Sequence, residues 1–149
     1  MRTVQRAQAL LWLAVALPML LAVTGLAIDG ALLLAGRREL QSMADGAARA
    51  AATRVDAQAL RVSSGRDVQL DVPSAQEVGL RYFSQSLQPD LAWDDPPSAR
   101  VQVSRTRAIV TAQGALRTAF LRIAGVERVP VAATAYADVQ HGIREPAGP

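Results

Sequence analysis

The sequence predicts an α+β protein: an N-terminal transmembrane helix continuing into a long helix that packs on a small, mostly antiparallel sheet with two short helices. Three observations predict it. Residues 7–28, AQALLWLAVALPMLLAVTGLAI, carry no charged side chain; the residues after Asp29 keep a helical period; and the C-terminal half alternates apolar and polar side chains in short runs between turn signals.

At about 1.5 Å of rise per residue, roughly 20 apolar residues cross a hydrocarbon core of about 30 Å, and the run supplies them before Asp29 closes it. Pro18 is tolerated there, because neighbouring helices and local backbone adjustment satisfy the carbonyl it leaves unpaired; a kink is expected near it. A competing reading takes the basic start MRTVQR, the apolar run and the small residues Gly25 and Ala27 as a signal peptide cleaved after Ala27. The run exceeds the roughly 7 to 15 residues of a signal core and continues as helix, which favours a retained anchor.

Between Asp29 and Val62, residues Leu33, Leu40, Ala44, Ala47, Ala51, Val55, Ala59 and Val62 recur at steps of three and four. The helix is therefore expected to project beyond the membrane to about Val62. Its other face carries Arg38, Gln41, Asp45, Arg49 and Asp56, with Asp45 and Arg49 placed for an i,i+4 pair. Alanines admit a close neighbour, so Ala44, Ala47 and Ala51 suit packing on the chain's own sheet or on another subunit.

A short strand is expected at 68–72, stopped by Pro73. Ser74 and Glu77 form a capping-box pattern that opens a helix running to Pro89. Residues 89–98, PDLAWDDPPS, read as a loop whose Asp90, Asp94 and Asp95 lack the spacing and glycine turn of a calcium loop. Strands at 100–104 and 108–112 form a hairpin, 115–123 a third helix ending at Gly125, and 129–139 a last strand with Pro130 near its start. The tail, 140–149, is expected to be disordered.

Composition limits the chemistry. The 149 residues leave about 110 to 120 outside the bilayer, enough for one modest domain. Aromatics make up 4% and alanine dominates, so the core must be built from small aliphatic side chains. There is no cysteine, and the lone His141 sits in the tail HGIREPAGP. No phosphate-binding loop, nucleophile elbow, metalloprotease motif or paired carboxylate occurs at usable spacing. No catalysis, cofactor, metal or small-molecule substrate is expected. The charge of +3 rests on arginine alone and nearly vanishes without Arg2 and Arg6, so nucleic acid is not an expected partner either. Those two arginines mark the cytoplasmic flank, although Arg37 and Arg38 follow the span on its other side. The expected order is a cytoplasmic flank at 1–6, a single transmembrane helix at 7–28, an extracytoplasmic domain at 29–139 and the tail.

Residues 6–52 resemble the N-terminal region of TadE/TadG-like proteins of the tight-adherence (Flp) pilus system. The resemblance is carried by Gln8, Ala9 and Leu10, by Leu17 and Pro18, by Gly25 to Asp29, and by Arg38, Leu40, Gln41, Ala44, Asp45, Ala47 and Ala48. It implies a pseudopilin-like accessory protein with a pilin-like domain outside the cytoplasmic membrane of a bacterium, whose partners are the membrane and other pilus-assembly or pilin subunits. The chain departs from peptidase-processed members at Ala7 and Trp12, where those carry glycine and glutamate, and so leans toward an uncleaved, TadG-like anchor. Pro18, Asp29, Ala44, Ala47 and Ala51 are the candidate assembly contacts. Asp29 stands either as a partner-binding acid or as a boundary acid without a special role. A secreted or tethered binding domain, cut after Ala27, is the alternative function.

Overall fold

The structure, a computed structural model, describes residues 2–87 and 93–139, with side chains from Trp12 onward. One helix, α1 (Arg2–Ala52), runs for 51 residues, and Pro18 lies inside it without ending it. After it come α2 (Ala57–Val62), α3 (Val72–Gln85), β1 (Trp93–Val103), β2 (Arg107–Arg117), a 3-10 turn (Leu121–Ala124) and β3 (Arg128–Asp138). The strands form one antiparallel sheet in the order β1-β2-β3. This is the predicted α+β arrangement, with the long apolar helix at its N-terminus.

A single stripe on α1 decides how these parts meet. Gly25, Asp29, Gly36, Leu40, Ala44, Ala47 and Ala51 are all buried and fall at spacings near the helical repeat, so they line one face. That face lies across β2 and β3, while α3 packs beside it and over β1. The sheet answers with small side chains: Val110 pairs with Val101 and Ala135, and Ala112 with Ala99 and Ala133. Leu40, Met43, Phe83 and Leu116 supply the larger buried volume. Small residues on both surfaces bring backbone close to backbone, which preserves dense packing with few aromatics.

Several boundaries differ from expectation. The long helix stops at Ala52 rather than near Val62. Asp56 caps a new helix by accepting from the Gln58 and Ala59 N–H groups at 2.9 and 3.0 Å, and Val55 bridges Leu70. A capping aspartate with extended backbone just ahead of it ends one helix and starts another. That bridge is all that forms of the strand expected at 68–72. The cap of α3 is Asp71, not Ser74; Pro73 sits in its first turn, where a missing N–H is harmless, and Glu77 pairs with Arg81 instead. Asp45 accepts from the Gln41 side-chain amide at 3.1 Å rather than pairing with Arg49.

The Asp- and Pro-rich segment is strand from Trp93 onward. Pro96 and Pro97 fit because β1 is an edge strand, with register shifts between Trp93 and Ser98. The expected helix at 115–123 is instead the end of β2 followed by the 3-10 turn, which closes at Gly125 with a left-handed φ of 86°. Leu116 belongs to the buried face of the strand, and its contact with α1 overrides the helical spacing of Leu116, Phe120 and Ile123. Asp90, His141 and the tail expected at 140–149 fall outside the described residues.

Close packing of the alanine stripe has a measurable consequence. Replacing Ala47 or Ala51 with Leu should cost about 1 to 3 kcal/mol by overpacking, whereas half-buried Ala50 should tolerate the same change better. Leu and Ala differ little in helix propensity, so denaturant unfolding of the full-length variants in detergent isolates the packing effect.

Candidate functional site

Asp29 is the first acid after the apolar run, and it is 1% exposed. As β2 ends, the chain turns across α1 and points three consecutive N–H groups at this carboxylate. One oxygen accepts from Ala119 at 2.7 Å; the other accepts from Phe120 at 2.9 Å and Leu121 at 2.6 Å. The first N–H groups of a helical turn have no partner within it, so a cap must come from elsewhere. Here it comes from a residue some ninety positions earlier, on another element.

Two glycines make the approach possible. A Cβ at Gly25 would lie 2.6 Å from Cγ of Phe120, and one at Gly36 would lie 2.2 Å from Cδ1 of Leu116. Both are closer than side-chain carbons approach one another, so a larger residue forces Phe120 and its turn away at Gly25 and forces the buried Leu116 side chain to shift at Gly36. Gly25, Asp29 and Gly36 share one helix face and together form the seat for residues 116–121.

The turn is fastened at its base as well. Thr118 is buried, and its hydroxyl donates to the Val126 carbonyl at 2.5 Å while its N–H donates to the Glu127 carbonyl at 3.0 Å. Asp94 on β1 accepts from Arg117 on β2 at 2.8 Å and lies 3.6 Å from Arg128 on β3, tying the three strands at this end of the sheet. The hydrogen bond from Arg117, opposed by some desolvation and aided by the charge of Arg128, holds the Asp94 carboxyl below the usual carboxylate range. At the far end of the sheet, Arg107 binds Asp138 through two hydrogen bonds and stacks over Tyr136, 5.1 Å from the ring centre. The bonds from Arg107 likewise lower the Asp138 carboxyl.

The structure separates the predicted site residues. Pro18 is exposed on the apolar helix. Asp29 holds the β2–β3 connection, and Ala44, Ala47 and Ala51 are fully covered by the chain's own sheet and α3. Sequence reasoning gave Gly36 and Thr118 no role, and placed Leu116 and Phe120 on a helix rather than in this seat. The usable signal was the spacing of Gly25, Asp29 and Gly36 on one face: a carboxylate between two glycines marks a close approach. Nothing in the sequence said which segment approaches.

Physically, the arrangement joins an exposed apolar helix to a small sheet through a buried charge. That defines an α+β protein with a candidate membrane-spanning helix fixed directly to its folded domain. Residues 7–57 match the family model described as putative Flp pilus-assembly TadE/G-like. The match covers the apolar helix, Asp29 and both glycines of the seat, and ends at the start of α2. No curated protein and no solved structure matches the chain.

Removing the Asp29 carboxylate strands three N–H groups against an apolar helix. Asp29→Ala should therefore lower the melting temperature far more than Glu77→Ala, which breaks only an exposed pair. The measurement is thermal unfolding of both full-length variants in the same detergent; equal losses would show that the clamp carries no special stability.

Asp94 yields a pH prediction. Its carboxyl is depressed in the folded state, so its contribution is complete above the unfolded value and is lost as pH falls through the folded one. Unfolding of Asp94→Asn followed from neutral to acid pH should show a slightly flatter acid limb than the parent. Partial exposure to water keeps the difference small.

Proposed function

We propose that the chain is a single-pass membrane protein that helps assemble an Flp-type pilus or a related secretion apparatus, acting by helix packing in the membrane and domain contacts outside it. The observation that carries this reading is the family match at residues 7–57, centred on a helix built for lipid. The apolar segment of α1 contains an 18-residue window with a mean hydropathy of 2.0 that is only 11% buried. A helix in a soluble core would be covered on most sides; here Trp12, Leu13, Met19 and Leu20 are more than half exposed.

The basic residues Arg2 and Arg6 support a cytoplasmic N-terminus, with residues 29–139 on the opposite side. Retention of the helix is supported by the seat itself, because Gly25 lies upstream of Ala27 and receives Phe120. Cutting after Ala27 would remove that contact. The function needs no bond-making residues: the clamp fixes the domain's orientation relative to the anchor, which suits a subunit that presents surfaces to neighbours. The exposed face of the sheet, including Gln113, Thr134 and Tyr136, is available for such contacts.

Deleting the gene in its native host should abolish Flp-type filaments at the cell surface, and the intact gene should restore them. Normal filaments after deletion would remove the assembly role. Topology is tested separately: an export-dependent reporter fused after Val139 should be active and a cytoplasm-dependent one inactive. Intact mass of the extracted protein should retain residues 8–27; a chain beginning at Ile28 would establish the cleaved, secreted alternative.

A further inference from the structure

The two sheet connections differ in chemistry. The one at the far end from the apolar helix, Ser104 to Arg107, is polar and exposed. The one beside the apolar helix reads TAFLRIAGV, and no residue of its 3-10 turn is buried. Phe120 is 41% exposed, Ile123 84% and Val126 41%. An exposed apolar cluster on a tightly fastened turn requires a partner.

Its position identifies the partner. Phe120 lies on Gly25, one helical turn, or about 6 Å, below Asp29 and inside the apolar run. Between the turn and the helix lies an open groove of about 650 Å³, lined by Pro18, Leu21, Ala22 and Leu26 on one side and by Phe120, Leu121, Ile123 and Ala124 on the other. No charged side chain lines it. Pro18 is eleven residues before Asp29, about 16 Å along the axis, so the groove follows the helix well below the acid. The apolar surface of the turn is thus continuous with the helix surface.

We propose that the 3-10 turn is seated in the bilayer that α1 crosses, in the leaflet on the domain side, with Phe120, Leu121 and Ile123 against lipid acyl chains. This rests on the membrane-anchor reading of α1. Arg122, within the turn, makes no ion pair among the described residues, and its long side chain reaches back to headgroup phosphates while its stem stays with the apolar residues. Asp94, Arg117 and Arg128 then stand at the polar boundary, and Asp29 keeps its charge by taking protein N–H groups in place of water. The domain is held by two lipid contacts, the helix and the turn, which fixes its tilt on the membrane as well as its attachment.

The chain has no cysteine, so single cysteines report cleanly. Ile123→Cys, Leu20→Cys and Thr106→Cys, each in the full-length protein, would carry an environment-sensitive fluorophore in vesicles of phosphatidylcholine and phosphatidylglycerol. Ile123 is so exposed that its replacement leaves the core intact, and an unchanged melting temperature confirms this. The labels at Ile123 and Leu20 should be quenched severalfold more by spin-labelled lipid than the one at Thr106, which should respond to aqueous iodide. Iodide quenching at Ile123 with lipid quenching at Leu20 would overturn the seated turn and leave the anchor standing. Iodide quenching at Leu20 would overturn the anchor itself. A label at Ile123 reached by neither quencher would show that protein, such as a second copy's helix, covers the turn, and would overturn the assignment to lipid.

Discussion

The buried carboxylate of Asp29 is the constraint on which the rest of the structure depends. A charge withdrawn from water is tolerated only when hydrogen-bond donors replace that water, and three backbone N–H groups do so here. To deliver them, the β2–β3 connection must come almost to the surface of α1. Gly25 and Gly36 provide the space, and Thr118 together with the Asp94 bridges holds the connection in shape.

The same demand for closeness extends along the helix. Ala44 and Ala47 pack with Ala112, Ala133 and Ala135, and Ala51 packs with Ala75 and Ala108, so a core in which Phe83 is the one buried aromatic among the described residues closes through small side chains. Such a core gains little from any one side chain and depends on area and fit. It is correspondingly intolerant of added volume. The small-residue face that suits subunit packing in the abstract is already occupied by the domain's own sheet.

For the assembly role proposed above, this geometry has a functional meaning. α1 is at once the candidate membrane-spanning helix and a core element, with no linker between the apolar run and the folded domain. The clamp at Asp29 prevents the sheet from swinging freely about the helix at the point where the apolar surface ends. Domain position is therefore tied to helix position, as the proposed assembly role requires.

The sequence by itself determined the apolar helix, its continuation past Asp29, the central hairpin and the last strand, because charge-free length and hydrophobic periodicity are local properties. It also carried the resemblance to TadE/TadG-like proteins, which lies within residues 6–52. Tertiary structure decided where periodicity was overruled. Asp56 and the Val55–Leu70 bridge ended the helix early, an edge position admitted Pro96 and Pro97 to a strand, and the fit of Leu116 into Gly36 turned an apparent helix into the end of β2. Above all it decided the role of Asp29. The partners of that carboxylate are backbone N–H groups some ninety residues away, and backbone groups leave no mark in the amino-acid sequence.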